Sequence, residues 1–181
     1  MSMSYPSQVE IVPLAKPPSC DVTVPGSKSI TNRALVLAAL GSQERTYRLT
    51  GALKSEDTEV MVDCLSRLGL NVFPEWPQIL VCRHYYRSFF PATEGELFVA
   101  NSGTSMRFLA AVCAVGSGSY ILDGIPRMRE RPIEDLLSAL RDLGADAQSI
   151  HANGCPPVRV NAKGLDGGHV RIRANLSSQF L

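Results

Sequence analysis

The chain is organised around the stretch Pro25-Gly26-Ser27-Lys28-Ser29-Ile30-Thr31-Asn32-Arg33. A short alternating segment, 21–24, precedes it, and an apolar run that stops at Gly41 follows it. This pattern predicts a strand, a tight glycine turn and a helix over 28–40. Ser27 takes the N-cap position, where a hydroxyl oxygen accepts a hydrogen bond from a first-turn amide.

Lys28 is an unusual residue for the first turn of a helix. That end of a helix carries about half a positive charge, so a cation there is repelled by about 0.3–1 kcal/mol unless an anion lies nearby. Ser29 and Arg33 are four residues apart and share a helix face. The group therefore indicates an anion site, most simply for phosphate. The alternative is that Lys28 and Arg33 are solvated charges on an amphipathic helix.

The same arrangement recurs at a fixed distance along the chain. Gly69 and Gly144 each follow a helical pattern, and the difference between their numbers is 75. The same offset takes Ser27 to Ser102 and then to Ser177. A period of this length is typical of stacked supersecondary units.

Strands that alternate with helices predict an α/β (α+β) fold of repeated βαβαββ units. We expect a tail or crossing segment over 1–20, with a strand at 8–14, and an incomplete first domain over 21–181. Its units are 21–94, 95–168 and the start of a third at 169–181. The predicted helices are 28–40, 55–68, 102–115 and 133–143, the last beginning at Pro132, with a further helix from Ser178. The predicted strands are 21–24, 46–49, 71–73, 79–82, 97–99, 120–122, 147–150, 158–160 and 169–172.

Composition excludes several classes of protein. With 45% hydrophobic residues, 19% charged residues and a net charge of +1, the chain lacks the basic bias of a duplex nucleic-acid binder. Its five cysteines are widely spaced and form no CxxC pair, which is typical of reduced, mostly buried thiols. We expect a cytoplasmic protein that binds neither nucleic acid nor a membrane.

Three further motifs carry candidate ligand contacts. Asn101-Ser102-Gly103-Thr104-Ser105-Met106-Arg107 repeats the helix start, and Gly103 would let a ligand approach the backbone. In an extended segment Arg127, Arg129 and Arg131 would lie on one side and could bind carboxylate or phosphate. The alternatives are a glycine needed only for the turn, and a solvated charge run in which an arginine pairs with Glu130 or Glu134. Ser177-Ser178-Gln179 offers hydroxyls and an amide.

These four motifs, in this order, resemble the signatures of the 5-enolpyruvylshikimate-3-phosphate synthase family. The resemblance covers about residue 16 to the last residue, whereas the related UDP-N-acetylglucosamine enolpyruvyl transferases have a different first motif. Two residues depart from the family pattern: Phe108 stands where many members have Pro or Leu, and Ser102 stands where Ala is common. The resemblance therefore does not fix sensitivity to the herbicide glyphosate, which binds in the family's phosphoenolpyruvate pocket.

The resemblance implies the enolpyruvyl transferase fold and a reaction of the shikimate pathway. The enolpyruvyl group of phosphoenolpyruvate would pass to the 5-hydroxyl of shikimate 3-phosphate with release of phosphate, without a metal or organic cofactor. Both small molecules would bind between this domain and a second domain.

The resemblance also implies roles for individual residues. Lys28 would contact both substrates, and Ser29 and Arg33 would hold shikimate 3-phosphate. Gly103 and Arg131 would line the phosphoenolpyruvate pocket. Behind them would lie a second line of residues, Asn101, Thr104 and Arg107. Ser177 and Ser178 would bind the 3-phosphate group, with Gln179 between the two ligands.

The resemblance places the acid and base residues in the second domain, so we expect none of the catalytic residues within this chain. We therefore expect the isolated chain to be inactive. The alternative is a non-catalytic anion-binding or assembly module that needs a partner half.

Overall fold

The computed structural model describes residues 7–86 and 88–172. Residues 7–27 form no helix or strand and are almost entirely exposed, with Val22 and Val24 74% and 75% accessible. The predicted strands 8–14 and 21–24 are therefore wrong, and so is the predicted strand 169–172. A strand is stable only beside a neighbour that takes up its backbone hydrogen bonds, and none of these three segments joins a sheet.

The first repeat contains two helices and a three-stranded antiparallel sheet. Its elements are α1 (Lys28–Leu40), β1 (Arg45–Leu49), α2 (Glu56–Arg67), β2 (Asn71–Glu75) and β3 (Gln78–Arg83). The strand order is β1-β3-β2. Each predicted helix and strand after residue 27 in this repeat is present, with ends shifted by at most two residues.

The second repeat has the same plan with one extra strand. Its elements are β4 (Glu94–Phe98), α3 (Gly103–Val115), β5 (Ser117–Asp123), α4 (Glu134–Asp142), β6 (Asp146–Ser149) and β7 (Val158–Lys163). The strand order is β4-β5-β7-β6, and β4 pairs with β5 in parallel. Pro132 precedes α4 rather than opening it, because Ile133 is the N-cap.

The predicted offset of 75 residues is confirmed for the first helix of each repeat. α1 and α3 each have 13 residues, start 75 positions apart and end at Gly41 and Gly116. The same offset relates β4 to residues 19–23, which join no strand here. The two repeats thus differ at their first predicted strand, which is present as β4 in the second repeat and absent at 21–24 in the first.

The core surrounds α3, which contacts the other three helices and strands β5 and β7. Nine of its residues are buried, among them Met106, Leu109 and Cys113. Because α1, α2 and α3 pack together, their N-terminal ends are held close to one another.

All five cysteines are free, as predicted. Cys64 and Cys113 are buried, Cys82 and Cys155 are half-buried, and Cys20 is exposed because it lies in the extended N-terminal segment. Burial raises the pKa of the Cys64 thiol to about 12. None of the helices in the two described ranges is long and apolar enough to cross a membrane.

Candidate functional site

The first wall of the candidate site is the start of α1. Ser27 caps the helix as predicted, and its Oγ accepts a hydrogen bond from the Ile30 amide at 3.4 Å. The Thr31 hydroxyl donates to the Ser27 carbonyl at 2.9 Å and accepts from the Leu53 amide at 3.1 Å. The helix start is thereby tied to the loop that follows β1.

The second wall is the start of α3. The Ser102 Oγ accepts from the Ser105 amide at 3.2 Å, so Ser102 is the N-cap that the repeat predicted. Ser102 and Ser105 are almost completely buried. Gly103 follows the cap as the first residue of α3, and it has no side chain to keep a ligand from the backbone.

A hollow of about 290 Å³ lies where these helices begin. Six of its eight lining residues were predicted as site residues, and the other two, Glu56 and Asp57, belong to the first turn of α2. The lining residues are Lys28, Ser29, Glu56, Asp57, Asn101, Gly103, Thr104 and Arg131.

Asp57 is the main residue of the hollow that sequence reasoning missed. Its Oδ2 lies 2.8 Å from Nζ of Lys28, and its side chain is only 18% accessible. In the sequence, Asp57 reads as an ordinary acidic residue of a first helical turn, and only the packing of α2 on α1 brings it to Lys28. Lys28 therefore has a counter-charge within the chain, where the sequence predicted an anionic ligand.

The arginine motif is only partly as predicted. Residues Met128–Glu130 form a 3-10 turn, so the three arginines do not lie on one side of an extended segment. Arg127 pairs with Glu130 at 2.5 Å, one of the two partners expected, and Arg129 pairs with Asp123 at 2.5 Å. Arg131 alone lines the hollow, and its Nη1 donates to the Asn101 carbonyl at 3.3 Å.

Arg107 supports this wall from behind. Its guanidinium donates to the Gly103 carbonyl at 3.0 Å and to the Pro132 carbonyl at 3.1 Å. Burial, with a further contribution from the nearby charge of Arg131, lowers the pKa of Arg107. The two hydrogen bonds join the start of α3 to Pro132, which follows Arg131.

Arg33 does not line the hollow. Its Nη1 donates to the Ser29 carbonyl at 3.1 Å, and its guanidinium carbon lies 5.3 Å from the centroid of the Phe108 ring. A cation over an aromatic face is attracted by the ring quadrupole. Ser177, Ser178 and Gln179, and the helix predicted from Ser178, lie outside the described residues.

Fold and hollow together define the class of this protein, an α/β repeat protein with a charged, polar hollow where three helices begin. A model of the family EPSP synthase (3-phosphoshikimate 1-carboxyvinyltransferase) matches residues 15–181. The chain belongs to the EPSP synthase family.

Individual relatives agree with this membership. The 3-phosphoshikimate 1-carboxyvinyltransferase of Opitutus terrae is 45% identical over 181 residues, which cover 99% of this chain and 42% of that protein. The chloroplastic enzyme of the same name from Arabidopsis thaliana is 46% identical over 168 residues, 88% of this chain and 32% of that protein. The chain thus spans less than half the length of these curated relatives.

Solved structures give the same fold. The EPSP synthase of Acinetobacter baumannii superposes with a TM-score of 0.77 at 27% identity, over 88% of this chain and 35% of that chain. The predicted fold class is confirmed.

Proposed function

We propose that this chain contributes the substrate-binding half of a 3-phosphoshikimate 1-carboxyvinyltransferase active site. The reaction would transfer the enolpyruvyl group of phosphoenolpyruvate to the 5-hydroxyl of shikimate 3-phosphate and release phosphate. The observation that carries the proposal is that Lys28, Ser29, Gly103 and Arg131, distant in sequence, line one hollow.

The chemistry of this hollow suits ligands that carry a phosphate and a carboxylate. A lysine ammonium offers three donors, and a guanidinium can bind an oxyanion with two parallel hydrogen bonds. The N-terminal turns of α1 and α3 add partial positive charge. Donors fixed in place before the ligand arrives stabilise negative charge without rearranging during the reaction.

Individual roles follow the family motifs. Lys28 contacts both substrates, Ser29 and Arg33 hold shikimate 3-phosphate, and Gly103 and Arg131 form the phosphoenolpyruvate pocket. In the structure the Arg33 guanidinium lies over the Phe108 ring and outside the hollow. Asn101, Thr104 and Arg107 support this arrangement, and Ser177, Ser178 and Gln179 complete it.

Catalysis would need the part of the family fold that this chain does not span. The acid and base residues of the proposed reaction belong to the family's second domain, so the chain alone would bind substrate without turnover.

An assembly module that binds a partner half is the second candidate, favoured by an apolar hollow of about 380 Å³ between α1, α3 and α4. The cytoplasmic location stays a prediction.

Binding of shikimate 3-phosphate tests the proposal directly. Calorimetric titration of the chain is expected to show saturable binding, and Lys28→Met should weaken it by about tenfold or more, because a hydrogen bond to a charged group contributes about 1.5–3 kcal/mol. Lys54→Met is the matched control, since Lys54 pairs with Glu59 at 3.4 Å and does not line the hollow.

Two results would contradict the proposal. The first is an absence of heat at millimolar ligand, and the second is an equal loss of affinity in both lysine variants. Mixing the chain with a second-domain polypeptide of a relative and measuring phosphate release separates an enzyme half from a module that only assembles.

A further inference from the structure

The ion pair between Lys28 and Asp57 joins the N-terminal turns of two helices. Lys28 is the first residue of α1, and Asp57 lies in the first turn of α2. Their charged atoms are 2.8 Å apart, and the lysine side chain is 55% accessible against 18% for the aspartate. The Asp57 carboxylate is thus the more buried member of the pair, and the Lys28 ammonium is the more exposed to solvent.

The helix dipoles affect the two partners differently, since the dipole of α1 disfavours Lys28 and the dipole of α2 favours Asp57. The first turn of α1 contains no acidic residue, so the positive end of that helix repels the Lys28 ammonium. The first turn of α2 contains Glu56, Asp57 and Glu59, which is the placement that a helix dipole favours. Without Asp57, nothing described in the hollow other than Glu56 would attract the ammonium inward.

Asp57 is also held from behind. The hydroxyl of Ser105 donates to the Asp57 backbone carbonyl at 3.3 Å, and the Ser102 hydroxyl donates to the Ser105 Oγ at 2.8 Å. The next residue, Thr58, is fully buried and donates to the Leu53 carbonyl at 2.8 Å. These hydrogen bonds connect the first turn of α2 to the cap of α3 and to the loop after β1. They fix the position of the backbone that carries the Asp57 carboxylate.

We propose that Asp57 is a positioning residue whose carboxylate holds the Lys28 ammonium over the hollow, where an incoming phosphate or carboxylate meets it. The ammonium has three donors, so it can keep Asp57 as one partner and give the others to a ligand. This inference rests on the proposed function for the identity of the ligand, shikimate 3-phosphate, but not for the geometry of the pair.

A purely electrostatic role for Asp57 predicts the opposite effect of its removal on ligand affinity. If Asp57 acted only through its charge, it would repel an anionic ligand, and its removal would tighten binding. If it positions Lys28, its removal weakens binding even though a negative charge has left the hollow. Glu56 provides the matched comparison, because it lies in the same turn and lines the same hollow, and within the described ranges it forms no ion pair with Lys28.

The experiment titrates the full chain and three variants with shikimate 3-phosphate by calorimetry at low salt. Asp57→Asn should weaken binding by about two- to fivefold, the range of a partly exposed charge interaction. Asp57→Glu should recover part of the loss. Glu56→Gln should bind the ligand more tightly than the wild type does, because it removes a negative charge from the hollow and keeps the ion pair. Wild-type or tighter binding by Asp57→Asn would overturn the proposal.

A second readout needs no ligand. Nitrogen-15 NMR of the lysine side chains should show the Lys28 ammonium held in a hydrogen bond in the wild type and in Glu56→Gln, and released in Asp57→Asn. Urea unfolding of each variant checks that the fold is intact. If the wild type binds no shikimate 3-phosphate, the proposed function fails, and the NMR signal alone decides the role of Asp57: an unchanged signal in Asp57→Asn refutes it.

Discussion

Gly26 lies directly against the loop that follows β1. A Cβ atom at this position would stand 2.2 Å from the Gly51 carbonyl oxygen and 3.1 Å from the Leu53 amide nitrogen, and both are backbone atoms. Gly26 is not among the glycines with a positive φ. The turn before α1 therefore needs a glycine because a side chain would clash with the backbone of the loop, and not because of its φ angle.

We expect Gly26→Ala to lower the free energy of unfolding by about 1–3 kcal/mol, as overpacking does when backbone must shift. Gly95→Ala is the control, because the nearest atom to its added Cβ is Tyr120 Cδ1 at 3.9 Å, and alanine restricts the unfolded chain more than glycine does. Urea unfolding monitored by circular dichroism measures both. Equal midpoints for the two variants would show that the close approach at Gly26 carries no cost.

Local residue types predicted the helix caps correctly, whereas charged contacts across the fold were missed. Ser27 and Ser102 were predictable because a cap bonds to an amide three residues away. The pairing of Lys28 with Asp57 spans 29 residues and depends on how α2 packs against α1. Coulomb attraction acts through space, so no local pattern specifies which carboxylate arrives.

Among the elements, the turn between β5 and α4 decides where Arg131 lies. Asp123 ends β5 and accepts from Arg129 Nε at 2.9 Å. Burial alone would raise the pKa of Asp123, but the hydrogen bonds from Arg129 and from the Gly124 amide outweigh it, so the pKa is lowered. The ion pair thereby fixes the 3-10 turn that precedes Arg131.

This lowered pKa implies a pH-dependent contribution to stability. A carboxyl group whose pKa is lower in the folded state stabilises the fold above its unfolded pKa, about 3.9, and the contribution disappears as the pH falls through the folded value. Asp123→Asn should therefore destabilise the chain at about pH 6 and by less at about pH 3.

Urea unfolding at the two pH values measures the effect. Asp142→Asn serves as the comparison, because Asp142 is exposed at the end of α4 and forms no ion pair within the described part of the chain. A cost for Asp123→Asn that does not shrink in acid would refute the role assigned to the ion pair.

The helices were the elements that the sequence predicted best. Their apolar periodicity, the serine caps of α1 and α3 and the closing glycines are all local signals. The segment 21–24 has the alternation of a strand but remains exposed, because a strand also needs a partner edge. The 3-10 turn at Met128–Glu130 was missed because three residues are too few to show an apolar period, although Met128 is buried in the core.

In the whole molecule, an apolar concavity of about 380 Å³ is separate from the charged hollow. It lies between α1, α3, α4 and the segment after β7, and Leu40 and Leu165 at its rim are 36% and 37% exposed. Exposed apolar side chains grouped in this way can take up an apolar ligand.

We expect the folded chain to bind 1-anilinonaphthalene-8-sulfonate at this concavity. Leu40→Gln combined with Leu165→Gln should reduce the fluorescence enhancement by roughly half, since both remove apolar rim surface. Phe73→Gln is the control, because Phe73 is 53% exposed and lies outside the concavity. A reduction of the same size in Phe73→Gln would show that the dye does not report on this surface.

The amino-acid sequence by itself determined the helices, their caps, the 75-residue repeat and most of the residues that line the charged hollow. These features depend on periodicity and on hydrogen bonds between near neighbours, which the order of residue types specifies. Only the tertiary structure decided that Asp57 meets Lys28, that Arg33 lies over Phe108, and that Arg131 alone of its motif faces the hollow. Those contacts join residues of different helices and turns, and their geometry exists only once the apolar faces of α1, α2 and α3 have packed together.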